Sequence, residues 1–204
     1  WLEQLFKAEL KTRGFQTASG GFIYWVKDGY IFSVVQAYMV AVFNGQSISE
    51  RVSIRIEAKP DCLDSLFFKL FGEEEMMKSF SNRLNGEPSL GLTGIQDEWR
   101  IQEPDFVHFT LEQMLDWVRQ TAGQIEADIA SFTQQVPDLE GFCRFMQSRP
   151  LQGGMENELY ALVLFRLQQY GELRRFLAGR PDFYQFANGT NLFAALRQIL
   201  DEQP

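Results

Sequence analysis

One histidine, His108, serves the whole 204-residue chain, and a lone imidazole cannot assemble the usual histidine-based metal sites. Only two cysteines occur, Cys62 and Cys143. They lie far apart with no CxxC or Cys/His spacing, which argues against a zinc module and a disulfide framework. Both are expected as reduced, buried thiols. No apolar run approaches the ~20 residues that cross a bilayer, so no transmembrane helix and no membrane partner are expected. No GxSxG nucleophile elbow is present. The stretch Gly86-Glu87-Pro88-Ser89-Leu90-Gly91-Leu92-Thr93 has the two-glycine spacing of a phosphate-binding loop but puts Leu92 where the lysine must stand. These absences together predict no cofactor, no metal and no enzymatic activity.

Basic residues are scarce as well. The formal charge is −8, from 27 acidic against 19 basic residues. Residues 61–140 hold 16 acidic and 5 basic residues, a net of −11, while the remainder holds 11 and 14, a net of +3. A strongly negative segment repels phosphate backbones, so nucleic acid is not expected as a partner. It suits a basic protein partner; the plainer account is that these carboxylates are solvated helix faces and loops. No signal peptide is visible and the cytoplasm is the expected location.

What the chain does have is aromatic and apolar surface in a hairpin pattern. It is 45% hydrophobic and 14% aromatic, with 19 phenylalanines, the composition of a folded chain. Asp28-Gly29 and Asn44-Gly45 each sit between apolar runs and are preferred centres of two-residue type I′ turns. The first turn pairs Lys27 with Tyr30, Trp25 with Phe32 and Phe22 with Val35. The second pairs Phe43 with Gln46, Tyr38 with Arg51 and Val35 with Ile54. Alternation then collects Phe22, Tyr24, Val26, Ile31, Val35, Ile54 and Ile56 on the face expected to meet helices. The opposite face holds Ile23, Trp25, Tyr30, Phe32 and Tyr38 interleaved with Lys27, Arg51 and Arg55. Trp, Tyr and Arg dominate binding hot spots, so Trp25, Tyr30, Phe32, Tyr38, Arg51 and Arg55 are the candidate partner-binding residues. The competing expectation is that C-terminal helices cover this face, with arginine stems lying over the rings.

Helical periodicity supplies the rest. Residues 2–13 form a helix stopped by Gly14. Leu63, Leu66, Phe67 and Leu70 mark a short helix ended by Gly72, and Glu73, Glu74 and Glu75 suit the first turn of another helix running through Leu84. Residues 85–94 read as a loop and 99–109 as a fourth strand, broken near Pro104. Thr110 to Gln113 is a capping box opening a long helix whose seam is Leu111, Leu115, Val118, Ala122, Ile125, Ile129 and Phe132. Pro137-Asp138 opens the next helix, with Leu139, Phe142, Cys143 and Met146. Residues 155–170 are apolar nearly all round, hence buried, and Gly171 separates them from 172–177. Asn191 caps a last helix, 192–200.

The helix ending in Gly14-Phe15, the aromatic hairpin from Gly21 to Tyr38, the alternating strand from Arg51 to Glu57, the segment Asp97-Glu98-Trp99-Arg100-Ile101 and the helix leading to Pro137-Asp138-Leu139-Glu140 resemble the DUF4304-like domains of bacterial proteins. The resemblance spans about residues 2–146. It implies an α+β fold and, because no activity is assigned to that family, carries over no catalytic residue.

The expectation is therefore a single α+β domain over 1–204: a helix plus an antiparallel meander of three to four strands over 1–109, packed on one face by helices, and a helical part over 110–204 sharing the same core. The expected function is protein binding, of an immunity or regulatory type in the bacterial cytoplasm. The alternatives are an enzyme whose site gathers scattered carboxylates with His108, and a structural homo-oligomer using the seam from Leu111 to Phe132.

Overall fold

Gly14 ends the first helix with φ +94°, a left-handed conformation that is free for glycine and costs other residues about 1 kcal/mol. Its amide donates to the Lys11 carbonyl and the Phe15 amide to the Leu10 carbonyl, the two bonds of a Schellman closure. The computed structural model describes residues 2–43, 46–84, 89–100, 111–151, 154–181 and 191–202. The helix closed at Gly14 is α1 (Leu2–Thr12), followed by β1 (Gln16–Thr17), β2 (Ile23–Lys27), β3 (Tyr30–Phe43) and β4 (Gln46–Pro60). Then come α2 (Asp64–Leu70), α3 (Phe80–Leu84), β5 (Leu90–Arg100) and α4 (Leu111–Gln135). The chain continues through α5 (Leu139–Gln147), α6 (Gly154–Arg166), α7 (Tyr170–Leu177) and α8 (Leu192–Glu202). The strands form one antiparallel sheet in the order β1-β2-β3-β4-β5, followed by a helical C-terminal half, so the fold is α+β. It has five strands where three to four were expected. β1 adds to β2 through Gln16 opposite Tyr24 and Thr17 opposite Ile23. β5 begins at Leu90, inside the segment expected as a loop.

The first hairpin turns where its dipeptide predicts. Asp28 (φ +51°) and Gly29 (φ +82°) are both left-handed, as a type I′ turn requires. Asn44-Gly45, His108 and Thr110 lie outside the described residues, as do the side chains of Tyr38 and Arg51.

Toward its open end, the pairing of β3 with β4 sits one residue from expectation. Beyond Ile31, which is buried too, burial in β3 alternates onto Phe32 and Val34, with Val35 37% exposed, and in β4 onto Ile54, Ile56 and Ala58, with Arg55 turned out. Pairing Val35 with Ile54 would place those two buried sets on opposite faces. The Asp61 amide donates to the Gly29 carbonyl at 2.9 Å, which sets residue 29 opposite 61. The expected register sets it opposite Pro60 at a hydrogen-bonded position, and proline has no N–H to give. A shift of one residue exchanges the faces. Ile23, Tyr30, Phe32 and Val34 of the opposite face are thus buried and Val26 and Val35 of the expected core face are exposed, while Tyr24 and Ile31 of that core face are buried as expected.

The chain divides into two compact units, each drawing on both the strand half and the helical half of the sequence. The first takes residues 1–25, 32–57 and 91–132. Here α4 buries Val118, Ala122, Ile125 and Ile129, Phe132 meets Phe32 edge-on with centroids 5.9 Å apart, and Phe6 of α1 lies 6.2 Å from Trp117. Arg13 adds ion pairs with Glu9 at 3.0 Å and Glu126 at 2.8 Å.

The second unit takes residues 26–31, 58–90 and 133–204. Its centre is α6, buried continuously from Glu158 to Leu164 and packed against α2, α5, α7 and α8. Asp138 caps α5, its Oδ1 accepting from the Gly141 amide at 2.6 Å. Tyr30 stacks on Phe142 at 5.8 Å and donates its hydroxyl to the Asp138 carbonyl at 3.0 Å. The helix expected to run to Tyr170 stops at Arg166 instead. Gln168 turns left-handed (φ +56°) and the Gln169 amide closes on the Leu164 carbonyl at 2.9 Å. Gly171, expected as the separator, lies inside α7.

Candidate functional site

The six residues expected to form a binding face do not present one among the described residues. Tyr30 and Phe32 are buried beneath Phe142 and Phe132. Trp25 is half-buried, its ring 5.0 Å from Phe15. Arg55 is exposed and paired with Glu57 at 2.5 Å, on the opposite face of the sheet from Phe32. Among the tyrosine and arginine anchors, Tyr38 and Arg51 lie outside the described side chains. The expectation for the thiols is corrected too: Cys143 is buried, but Cys62 is exposed, because it occupies the outer side of the 3-10 turn that leads into α2.

Asp61 and Asp64, which share a helix face in the sequence, both serve Arg83. Lys59 stands near the end of β4, Asp61 in the 3-10 turn, Asp64 at the start of α2 and Arg83 in α3. Asp64 Oδ1 takes Lys59 Nζ at 2.8 Å and its Oδ2 takes Arg83 Nε at 2.6 Å. Arg83 also pairs with Asp61, and Lys59 donates to the Arg83 carbonyl. Burial lowers the Lys59 amine to about 8, against the opposing pull of Asp64. An amine titrating near neutrality has the properties of a catalytic base. Here its donors are taken up by Asp64 and a backbone carbonyl, which makes the cluster a clamp joining β4, α2 and α3.

The clamp supports an exposed acidic turn. Gly72 (φ +68°) closes α2, with the Glu73 amide on the Phe68 carbonyl at 2.9 Å. One continuous helix from Glu73 to Leu84 was expected, but residues 74–78 form a 3-10 turn and α3 starts afresh. Ser79 is the reason. It is extended (φ −109°, ψ 123°) and its carbonyl accepts the Arg83 amide at 3.1 Å, the geometry of an N-cap, which serine favours. Asn82 Nδ2 then holds the Met76 carbonyl at 3.1 Å. The turn so fixed exposes Glu74 and Glu75 beside Met76 (41% exposed) and Met77 (38%). Lys78, the one basic residue in 73–78, pairs with Glu75. The sequence signal for this surface is the pair of methionines directly after three glutamates, which helical periodicity alone assigns to a helix start.

A second polar group lies at α5, α6 and α7. Tyr160 donates to Glu172 Oε1 at 2.7 Å, and Gln147 Nε2 reaches both at 3.0 and 3.1 Å. Burial, reinforced by Glu172, pushes Tyr160 up to about 12 and Cys143 up to about 11. Both stay protonated at neutral pH, so neither is a nucleophile there.

Among the described residues no group of three or more His, Cys, Asp or Glu is placed to hold a metal ion, and no helix is long and apolar enough to cross a membrane. No protein-family model matches the chain, and no curated protein and no solved structure matches it.

Proposed function

We propose that this chain is a protein-interaction protein that receives a basic, partly apolar segment of its partner on the acidic turn of residues 73–77. The observation that carries this reading is the exposure of Met76 and Met77 beside Glu74 and Glu75 on a turn anchored by Asn82 and Arg83. Methionine offers adaptable apolar contact, while the carboxylates steer a cationic partner and exclude acidic ones. The net of −11 over residues 61–140 is of the same sign. An immunity-type role in a bacterial cytoplasm, with a basic toxin as the partner, is the specific form of this reading, and the charge of the acidic turn is what supports it. Self-association through the α4 seam has less support, since Val118, Ala122, Ile125 and Ile129 are buried within their own unit.

The test is a titration with a labelled basic amphipathic peptide at low and high salt. Binding that weakens with salt, is lost in the Met76→Ser/Met77→Ser variant and persists in Glu112→Gln on α4 is the expected result. Equal binding by the methionine variant and the parent chain contradicts the assignment.

A further inference from the structure

The chain has six methionines, and burial separates those whose side chains are described. Met146 of α5 is fully enclosed, at 0% exposure. Met76 and Met77 stand 41% and 38% exposed on the acidic turn, and Met155, at the start of α6, is 41% exposed. The side chains of Met39 and Met114 lie outside the described residues. A thioether is oxidised where a hydroperoxide reaches the sulfur lone pair, so exposure sets which methionines react first.

The path of the turn is held by bonds that use no sulfur. The Met76 amide donates to the Glu73 carbonyl at 2.9 Å, and the Met76 carbonyl accepts the Ser79 amide at 3.2 Å and Asn82 Nδ2 at 3.1 Å. Oxidation of Met76 and Met77 therefore changes what the turn displays and leaves its backbone in place. Two adaptable apolar side chains become polar, chiral sulfoxides beside Glu74 and Glu75. The sulfoxide oxygen is a hydrogen-bond acceptor, and burying it against an apolar side chain of a partner, with no donor to meet it, is unfavourable.

We propose that Met76 and Met77 form a redox switch, which rests on the acidic turn being the binding surface: a hydroperoxide oxidises the two thioethers and releases the partner, and thiol-dependent reduction restores binding. In the forward step the sulfur lone pair forms an S–O bond to one peroxide oxygen as the O–O bond breaks. Sulfur gives up two electrons, and the proton of the transferred oxygen passes to the departing hydroxide. Each hydrogen peroxide so consumed leaves one sulfoxide and one water. In the return step two thiols become a disulfide and the sulfoxide oxygen leaves as water.

The test measures the affinity of the full chain for a labelled basic amphipathic peptide of lysine and leucine, which peroxide leaves intact. Affinity is read before hydrogen peroxide treatment, after it, and after repair by the two stereospecific methionine sulfoxide reductases with dithiothreitol, while mass spectrometry maps the oxidised positions. Met76 and Met77 are expected to oxidise about tenfold or more faster than Met146. Affinity is expected to fall about tenfold or more with the circular dichroism unchanged, and to return on repair. Met76→Leu/Met77→Leu keeps the apolar contact without the thioethers, so it is expected to bind as the parent does and to hold its affinity through the same treatment, although Cys62 and Met155 remain exposed to the oxidant. Equal binding by the reduced and oxidised parent, loss of affinity in the peroxide-treated leucine variant, or oxidation of Met146 as fast as Met76 and Met77 overturns the switch and leaves the binding surface standing. Failure of the reduced parent to bind overturns both.

Discussion

Arg83 donates its Nε to Asp64 Oδ2 at 2.6 Å with the two side chains only 14% and 3% exposed. Removing one member of such a pair leaves an uncompensated buried charge, which costs about 3–5 kcal/mol, whereas replacing all members with apolar groups is often neutral. Urea denaturation of Asp64→Ala should therefore show a loss of that size at unchanged slope. The triple variant Lys59→Met/Asp64→Leu/Arg83→Met should come within about 1 kcal/mol of the parent. The triple variant nevertheless loses the link between α3 and α2, so its affinity for the basic peptide should fall.

The same cluster gives a pH signature. Lys59 is lowered from its ordinary 10.5 to about 8, so between those values the unfolded chain holds the proton that the folded chain has released, and stability rises with pH. Cys143 and Tyr160 act in the opposite sense. They are raised from 9.0 to about 11 and from 10.0 to about 12, so the folded chain keeps protons the unfolded chain has lost, and stability falls as pH climbs through those windows. The free energy of unfolding should climb between pH 8 and 9 and then level or decline. Lys59→Met should lack the climb and keep the decline.

Gln168 is a non-glycine residue at φ +56°, in the position where a Schellman closure favours glycine. Gln168→Gly should stabilise the chain by up to about 1 kcal/mol, raising its melting temperature by about 2–4 °C. Gly14→Ala, at φ +94°, should move it the other way. Differential scanning calorimetry reads both.

Phe32 is fully buried against Phe132, so Phe32→Ala should cost about 3–5 kcal/mol through the cavity it leaves. Arg55→Ala, on the exposed face, should stay within about 0.5 kcal/mol of the parent. Chemical denaturation distinguishes a core residue from a binding anchor here.

The elements with local instructions were legible in the sequence. Gly14 and Gly72 as helix stops, Asp28-Gly29 as a turn and Asp138 as a cap each act through their own backbone, and each stands where its chemistry places it. The β3–β4 pairing departs from expectation at its open end because Pro60 has no N–H to give and the Asp61 amide meets the Gly29 carbonyl instead. The acidic turn was hidden for a related reason. Three glutamates suit a helix start, and only the extended Ser79, with Arg83 drawn back to Asp61 and Asp64, divides the segment in two. No sequence periodicity reports that tertiary tie. The hydrogen bond from Arg197 of α8 to the Leu177 carbonyl of α7 spans 20 residues of chain, beyond the reach of any local pattern.

Comparative affinity capture from the native host tests the binding account most directly, with the parent chain and a folded Glu74→Gln/Glu75→Gln/Met76→Ser/Met77→Ser variant as parallel baits. The account predicts a protein bearing a basic segment that the parent retains, that salt elutes and that the variant does not retain. The same partner held equally by both baits would contradict it.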